Sequence, residues 1–354
     1  MQNNDNKLNR RKFLTTGAAA AAGAATMIGA PAVIANPTKT ITWRMQTHWP
    51  AGSWYYEPVF QRYADRIKEA TNGELIIETH QPGSIVSTGD VLRGVRRGTL
   101  ESAFLYPAYW VGDIPAAGHL NGNLATWESH EEMHFFMYEM GALDIIRDAY
   151  AQRGVYQVGP VSYAGTAIYG NKRIEKVEDF EGFQIRSNGN AAQVFEKMGA
   201  APVSISGGEL YQALQTGVAD GAHWGSVSAG WGMNLQEVNK YIMQPDLLGH
   251  MNGEVFVNQK AWDALGSDHK RIINDATIAA SIDSSAIFRH HDFLRMKDFV
   301  NDFGGEIVQM DPDVIQQMRV KSLEVVDEVS KRDPEYSGKI GDLLHEFMRL
   351  TGKV

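Results

Sequence analysis

The fold of this chain is decided by the stretch from Glu181 to Gly225, which reads EGFQIRSNGNAAQVFEKMGAAPVSISGGELYQALQTGVADGAHWG. Three short β-rich runs alternate in it with two runs whose apolar side chains recur every three or four residues. The predicted strands are Phe183–Arg186, Pro202–Ile205 and Val218–Trp224, and the predicted helices are Asn190–Met198 and Glu209–Gln215. Short strands that alternate with helices predict a parallel sheet, so we expect an α/β fold.

The ends of these strands carry the residues most suited to bind a ligand. In open parallel sheets, ligands bind beyond the carboxyl ends of the strands, where Arg186, His223 and Trp224 lie. The guanidinium of Arg186 is a permanently charged planar fork that matches a carboxylate. A surface arginine paired with Glu178 or Asp179 explains the same residue, and the local sequence does not decide between the two.

A second set of alternating elements precedes this stretch. The predicted strands are Thr40–Gln46, Glu74–Thr79 and Ser102–Leu105, and the predicted helices are Trp54–Ala70 and Asp90–Gly98. Tyr106, Tyr109 and Trp110 follow the last of these strands, at the edge where ligands enter. Aromatic side chains in this position either line a pocket or pack in the core, and the residues alone leave both roles open.

The longest predicted element is a helix from Ser267 to Phe303. Ser267 is its predicted N-cap, and Gly304-Gly305 ends it. At about 1.5 Å per residue the helix would be roughly 50 Å long, which exceeds one lobe of a protein of this size. We therefore expect a long helix that spans both lobes of a two-lobed protein.

The two expected lobes are built from non-contiguous segments. Lobe I takes residues 38–163 and 253–290, and lobe II takes residues 164–252 and 291–354, with the hinge and the C-terminal helices. The two terminal helices are predicted at Asp313–Lys331 and Ser337–Leu350.

The N-terminal segment has the features of an export signal. The twin-arginine motif NRRKFL at Asn9–Leu14 precedes a mildly apolar run at Gly17–Ala30 and a small-residue cleavage site at Val33–Ala35. Residues 1–35 are therefore predicted to be a twin-arginine signal peptide. Since no other segment approaches eighteen apolar residues, the mature protein is expected to be soluble and periplasmic.

The charge and the composition exclude several kinds of partner and chemistry. The formal net charge is −9, and because residues 1–35 carry +3, the remainder carries −12. An acidic protein is a poor binder of nucleic acid and does not suit an anionic membrane surface. The chain contains no Cys, which excludes disulfides and thiol chemistry.

Zinc-dependent hydrolysis is a competing interpretation. It rests on the predicted helix Ser129–Arg153, which contains HEEMH at His130–His134. H-E-x-x-H on a helix places two imidazoles on one face, with Glu131 as a general base beside zinc. No further ligand follows at the spacing of known zinc sites, and Asp144, which stays possible, lies within the same predicted helix. An ordinary helix start explains the same residues, because Ser129 and Glu132 have the spacing of a capping box and acids favour the first turn.

Several stretches resemble the solute-binding proteins of TRAP (tripartite ATP-independent periplasmic) transporters. They are residues 180–225, GDVLRGVRRGTLESAF at 89–104 and GEVFVNQKAWDAL at 253–265, and the likeness covers most of residues 40 to 350. YPAYWVGDIPA at 106–116, with the later pair His223-Trp224, is most similar to the subgroup that binds 2-oxo acids and related monocarboxylates. The resemblance implies a periplasmic-binding-protein-like fold whose two α/β lobes close over a small organic anion.

The resemblance also assigns residues to the cleft between the lobes. Arg186 would hold the carboxylate of the ligand. The other implied binding residues are Tyr163 and Thr166 of the segment that crosses between lobes, Tyr109 and Trp110, His223 and Trp224, and Asn188. The residues alone favour a local turn or the cap of the following helix as the role of Asn188.

Two departures from the family concern charge and metal. Sialic-acid-binding members carry a second Arg near the crossing segment, where this chain has Ala164–Ala167, so an acidic sugar or a dicarboxylate is less expected. The 2-oxo-acid subgroup surrounds a cation with an acid before the Trp and with a Gln in the crossing segment. In this chain His223 stands in place of the acid, and the crossing segment has no corresponding Gln. Both differences argue against a cation that bridges the ligand, although the resemblance alone would allow one. We expect no metal and no other cofactor, and a neutral His223 that hydrogen-bonds a keto or hydroxyl oxygen.

The sequence therefore predicts an extracytoplasmic receptor and not an enzyme. It would bind a small organic anion, a 2-oxo acid or another monocarboxylate, and deliver it to the membrane permease subunits of a TRAP transporter. A homodimer is a further expectation, because the C-terminal helices resemble those that pair chains in the 2-oxo-acid subgroup. A zinc-dependent hydrolase and a periplasmic interaction module are the alternative functions.

Overall fold

The computed structural model describes residues 40–120, 123–163, 165–205, 207–248 and 252–354. The predicted signal peptide lies outside these residues. Within the described ranges, no helix combines the length and the hydropathy that a membrane span requires.

The strands of the described residues form two separate sheets. They are β1 Ile41–Thr47, β2 Leu75–His80, β3 Ser102–Leu105, β4 Val155–Ser162, β5 Thr166–Gly170, β6 Gln184–Arg186, β7 Ala201–Val203, β8 Gly221–Trp224, β9 Tyr241–Leu248, β10 Asn252–Asn258 and β11 Glu306–Gln309. The first sheet has the order β2-β1-β3-β10-β4, and the second has the order β11-β9-β5-β8-β6-β7. The predicted two-lobed α/β fold is confirmed, with one sheet in each lobe.

The helices of the described residues connect these strands and cover the sheets. They are α1 Arg62–Ala70, α2 Val91–Arg97, α3 His130–His134, α4 Ala142–Ala151, α5 Gly189–Lys197, α6 Gly207–Thr216, α7 Val227–Trp231, α8 Gln259–Asp263, α9 Ser267–Phe303, α10 Pro312–Arg332 and α11 Lys339–Leu350. Single 3₁₀ turns or short runs of them lie at Thr88–Asp90, Pro107–Trp110, Pro115–Leu120, Val177–Phe180 and Leu235–Glu237. Wider π turns lie at Tyr56–Gln61, Phe135–Glu139 and Pro334–Gly338.

Each sheet buries side chains on both of its faces. On β3, Ala103 and Leu105 enter the core on one face of the first sheet, and Phe104 enters the core on the other. On β5, Ile168 and Tyr169 likewise enter different cores of the second sheet. This alternation follows the two-residue period of a strand, and burial on both faces explains why the strands read as short apolar runs.

The stretch that decides the fold forms the predicted parallel strands. β6 pairs in parallel with β7 and with β8, as the alternation of strands and helices indicated. The last strand is shorter than predicted and begins at Gly221 instead of Val218. Gly217 ends α6 with φ of 76°, and the N–H of Val218 donates to the carbonyl of Ala213 at 2.9 Å, so Val218 still belongs to the end of α6.

The long helix α9 has the predicted bounds and packs against both halves of the molecule. Ile273 and Phe288 enter the core beside the first sheet, and Phe299 enters a core beside the second sheet. The N-cap position is occupied by Gly266 without a side-chain hydrogen bond, so the prediction that Ser267 caps the helix is wrong. The glycine after the helix adopts the left-handed conformation, as expected for a helix end.

The helix predicted at Ser129–Arg153 is divided into two. α3 continues into a π turn, and Gly141 then breaks the helix with φ of 81° before α4 begins. The predicted cap at Ser129 is confirmed, because its hydroxyl accepts the N–H of Glu132 at 3.2 Å. The carboxylate of Glu132 accepts the N–H of Glu128 at 2.7 Å, one residue earlier than a capping box requires.

The C-terminal helices divide their contacts between the lobes. α10 places Val314 and Met318 in a core of the second sheet, but Val326 in a core of the first sheet. α11 places Leu344 and Phe347 in the same first-sheet core. This differs from the sequence-based assignment of residues 291–354 to lobe II, because the spacing of apolar residues identifies the buried face of a helix but not the lobe that covers it.

A pair of substitutions on α9 tests whether this helix holds the second sheet. Phe299 is 0% exposed and Phe293 is 59% exposed, six positions apart on the same helix. We expect Phe299→Ala to lower the free energy of unfolding by about 3–5 kcal/mol, because it leaves a cavity in a packed core. Phe293→Ala is the control and should change it by about 0.5 kcal/mol or less. Equal effects of the two substitutions in urea unfolding would contradict this packing.

Candidate ligand-binding site

The end of β6 holds Arg186 in a defined orientation. Its Nε–H donates to the carbonyl oxygen of Ile205 at 3.1 Å, and its Nη1–H donates to that of His223 at 3.2 Å. The guanidinium carbon lies 4.5 Å from the ring centroid of Trp224, which is within the range of a cation–π contact. The residues that sequence analysis placed at neighbouring strand ends therefore meet at this point.

Asn188 completes the support of the guanidinium. In the amide orientation that satisfies its neighbours, its Oδ1 accepts from Arg186 Nη2 at 2.7 Å and its amide donates to the carbonyl of Ser187 at 2.9 Å. Asn188 also occupies the N-cap position of α5, but its side chain makes no capping hydrogen bond. A guanidinium has five N–H donors. Three are used by the described residues, and one on each terminal nitrogen remains.

Arg186 has no carboxylate partner among the residues that the structure describes. Asp179, one of the partners considered from sequence, instead accepts the backbone N–H groups of Glu175 and Lys176 at 2.8 Å each. Burial lowers the pKa of the Arg186 guanidinium, while Tyr106 and Tyr109 act in the opposite direction. The site thus holds a partly buried cation beside neutral groups.

His223 and Thr166 form a neutral polar pair next to this cation. The Nε2 of His223 lies 2.7 Å from the Oγ1 of Thr166, and both side chains are buried. Burial lowers the pKa of His223 to about 3, and the charge of Arg186 adds to the effect. The imidazole is therefore neutral at neutral pH, and the pair offers hydrogen bonds without charge.

Tyr163 and Trp110, which the resemblance assigned to the cleft, are both buried in lobe I. Trp110 donates its indole N–H to the hydroxyl of Tyr150 at 2.7 Å and packs against Phe256 with ring centroids 5.0 Å apart. Tyr163 packs against Trp49, with ring centroids 5.0 Å apart. Among the described residues, neither side chain forms one of the hydrogen bonds or the cation–π contact that hold Arg186. Their role in binding therefore stays a prediction.

One aromatic residue of the site was missed by sequence analysis. His48 directly follows β1, and its ring centroid lies 5.9 Å from that of Tyr109 and 6.4 Å from that of Tyr106. We refer to His48, Tyr106 and Tyr109 as the aromatic wall. Because β1 and β3 are parallel neighbours, the strand-end rule that identified Tyr106 and Tyr109 could have identified His48 too.

The candidate metal ligands of this region are engaged with protein groups. Arg186 itself repels a cation, and the Nε2 of His223 is engaged with Thr166. In lobe I, the buried carboxylate of Glu254 on β10 accepts hydrogen bonds with both of its oxygens, one of them from Tyr150. In the described ranges, no three His, Cys, Asp or Glu side chains come together in a group that could hold a metal ion.

The H-E-x-x-H residues lie on α3. The ring centroids of His130 and His134 are 4.3 Å apart, and His134 also stacks on Tyr138 at 4.8 Å. Burial lowers the pKa of His134. Two imidazoles are brought together there, but the described part of the chain supplies no third His, Cys, Asp or Glu to form a metal site with them.

A separate cavity of about 420 Å³ lies between α9, α10 and β9. Its lining includes Arg289 and Asp292 of α9, Asp246 of β9 and Ile315 of α10. Burial raises the pKa of Asp246 to about 6, and Asp292 contributes in the same direction. None of the predicted binding residues lines this cavity, so it is distinct from the site around Arg186.

The chain belongs to the bacterial extracellular solute-binding protein family 7 (DctP), whose model matches residues 45–333. This family contains the solute receptors of TRAP transporters and not enzymes. The predicted receptor class is therefore confirmed, and the protein is extracytoplasmic. The zinc-hydrolase and interaction-module alternatives find no support among its relatives.

Several individual proteins are similar over most of the chain. A monocarboxylate 2-oxoacid-binding periplasmic protein of Nostoc sp. is 25% identical over 93% of this chain and 91% of its own length. A TRAP periplasmic solute-binding protein of Pseudoalteromonas atlantica, solved with bound sodium and pyruvate, has a TM-score of 0.77 at 23% identity and covers 88% of this chain and 95% of that one. One of Bordetella bronchiseptica, solved as a dimer with calcium and picolinate, has a TM-score of 0.73 at 21% identity, with 88% and 94% covered. The solved structures establish the shared fold.

The buried His223 makes the stability of the protein depend on pH. Its pKa is about 3 in the folded state against an ordinary 6.5, so between these values the unfolded state binds more protons and stability falls as the pH falls. We expect His223→Gln to remove this contribution. From about pH 6 downward, the wild type should lose up to about 1.4 kcal/mol per pH unit more than the variant. Urea unfolding at pH 7, 6 and 5 measures this, and parallel stability curves would contradict it.

Proposed function

We propose that the cleft between the two lobes binds a small monocarboxylate and that Arg186 holds its carboxylate. The observation that carries this proposal is a guanidinium with two N–H donors left and no carboxylate partner among the described residues. Two N–H groups on the terminal nitrogens of one planar fork match the two oxygens of a carboxylate. The ligand would supply the counter-charge that the protein does not.

A single acidic group fits this site better than two. His223 is neutral, and so is His48, whose pKa is lowered to about 3 by burial. The groups described around Arg186 therefore add no second positive charge. A keto or hydroxyl oxygen next to the carboxylate could hydrogen-bond to the pair formed by His223 and Thr166, which favours a 2-oxo acid. The Nostoc relative, named for binding monocarboxylate 2-oxo acids, supports this choice.

Closure of the lobes would complete the site. Arg186 and His223 belong to the second sheet, whereas Tyr106 and Tyr109 follow β3 of the first sheet. The two phenols raise the pKa of Arg186 from the other side of the cleft. We propose that the lobes rotate where the chain passes between the two sheets, after β4 and before β10, as in other binding proteins. Lobe I would comprise residues 38–163 and 253–290 together with α11, and lobe II the remainder of the folded chain.

The closed receptor would deliver its ligand to the membrane permease subunits of a TRAP transporter. We propose that it reaches the periplasm by twin-arginine export, on the basis of the NRRKFL motif at Asn9–Leu14. A homodimer stays a prediction, and the dimeric Bordetella structure shows that this fold accommodates one. These proposals concern the route and the assembly, and they do not affect the ligand site.

Substitution of Arg186 tests the carboxylate clamp. We expect Arg186→Ala to weaken the binding of pyruvate, or of whichever monocarboxylate binds best, by about 30- to several-thousand-fold, because one partner of a buried charge pair is lost. Arg186→Lys should recover part of the affinity, since it keeps the charge but not the fork. Arg271→Ala removes an exposed arginine that pairs with Asp268 on α9 and is the matched control. An unchanged dissociation constant in Arg186→Ala, measured by calorimetry, would remove Arg186 from the site.

Removal of metal ions tests whether a cation bridges the ligand. The sodium and calcium in the two solved neighbours make the test necessary, while the neutral His223 beside Arg186 favours binding without a cation. We expect the dissociation constant of the monocarboxylate to be unchanged after dialysis against EDTA into a sodium-free buffer. A loss of affinity that added Ca²⁺ or Na⁺ restores would show that a cation takes part in binding.

A further inference from the structure

The aromatic wall assigns a ligand class to the proposed carboxylate site. We propose that the site selects a monocarboxylate whose remaining part is flat and aromatic, with the carboxylate on Arg186 and the ring against His48, Tyr106 and Tyr109. This inference rests on the proposed function and goes further, since pyruvate satisfies the clamp but cannot cover the wall.

The rings of the wall contact each other in edge-on and tilted arrangements. Tyr106 and Tyr109 have ring centroids 6.4 Å apart at a near-perpendicular 79°, and His48 lies within 6.4 Å of both. Behind them, Trp49 packs on His48 with ring centroids 4.6 Å apart. All of these separations lie in the range in which aromatic rings contact each other. The ends of β1 and β3 therefore bring three rings together.

Part of this surface is left open to a ligand. Tyr109 is 48% exposed, whereas its neighbour Trp110 is 3% exposed and belongs to the core of lobe I. Tyr109 also lies near enough to Arg186 for the two groups to influence each other's pKa. A ligand held by Arg186 would be beside the open ring of Tyr109, and a flat group would cover that ring best.

The wall carries no charge at neutral pH. Burial lowers the pKa of His48 to about 3 and raises the pKa of both Tyr106 and Tyr109, so the imidazole and the phenols are neutral. A neutral wall offers no cation to a second carboxylate and no anion to an ammonium group. The absence of charge on the wall therefore disfavours a dicarboxylate or an amino acid.

The opposite side of the site is also aromatic. The ring of Trp224, which supports Arg186, is partly exposed and packs closely on Gly207, where an added Cβ would lie 2.9 Å from the ring. Only a residue without a side chain leaves room for this position of Trp224. Lobe closure would place a flat ligand between Trp224 with Arg186 on one side and the aromatic wall on the other.

Two matched pairs of ligands test the inference in the wild-type protein. Benzoylformate and pyruvate share the 2-oxo acid and differ in the phenyl ring, and benzoate and cyclohexanecarboxylate have similar size but differ in planarity. We expect the aromatic member of each pair to bind about tenfold more tightly in calorimetry. If pyruvate binds as tightly as benzoylformate and its binding is lost in Arg186→Ala, the inference is overturned while the proposed function stands. If none of the four acids binds, both fail.

A substitution in the wall separates the ring contact from general hydrophobicity. Tyr109→Leu keeps an apolar side chain but removes the flat ring. We expect it to weaken benzoylformate about fivefold more than pyruvate, which reduces the preference of the wild type. Tyr336→Leu, on the π turn before α11, is the matched control and should leave the preference intact. Retention of the full preference in a folded Tyr109→Leu protein, checked by its melting temperature, would overturn the role of the wall.

Discussion

An arginine without a carboxylate partner has to be kept charged inside a partly buried site. Buried charges are costly unless polar groups replace the water that they lose. Around Arg186 this replacement comes from the carbonyls of Ile205 and His223, the amide of Asn188 and the ring of Trp224, all of them neutral. Because these groups stabilise the guanidinium without cancelling its charge, the local field remains attractive to an anion although the protein as a whole is acidic.

The neutral groups meet at one point because of strand direction. β6, β7 and β8 are parallel, so residues that are far apart in sequence emerge at the same edge of the second sheet. The same rule applied to the parallel strands β1 and β3 brings His48 beside Tyr106 and Tyr109 on the first sheet. Each lobe therefore presents a strand-end edge to the cleft. One edge is cationic and polar, and the other is aromatic.

Local pattern predicted the elements of this fold better than it predicted their partners. The parallel strands around Arg186 and the bounds of α9 followed from periodicity and from glycine stops, which act within a few residues. The break at Gly141 was missed because apolar spacing continues across it. Trp110 has the same position after a strand as Tyr109, yet a hydrogen bond to Tyr150 holds it in the core. Which of the two rings is buried depends on such long-range contacts, and a single sequence does not record them.

The division of α10 between two cores has a mechanical consequence. Val325 packs in a core of the second sheet, and the adjacent Val326 packs in a core of the first sheet. One turn of the helix is therefore packed against both lobes. A lobe that rotates must either carry this turn along or slide one of the two valines across its neighbours. Since packed interiors resist gradual deformation, α10 would resist rotation of one lobe against the other. It would therefore limit how far the two lobes separate.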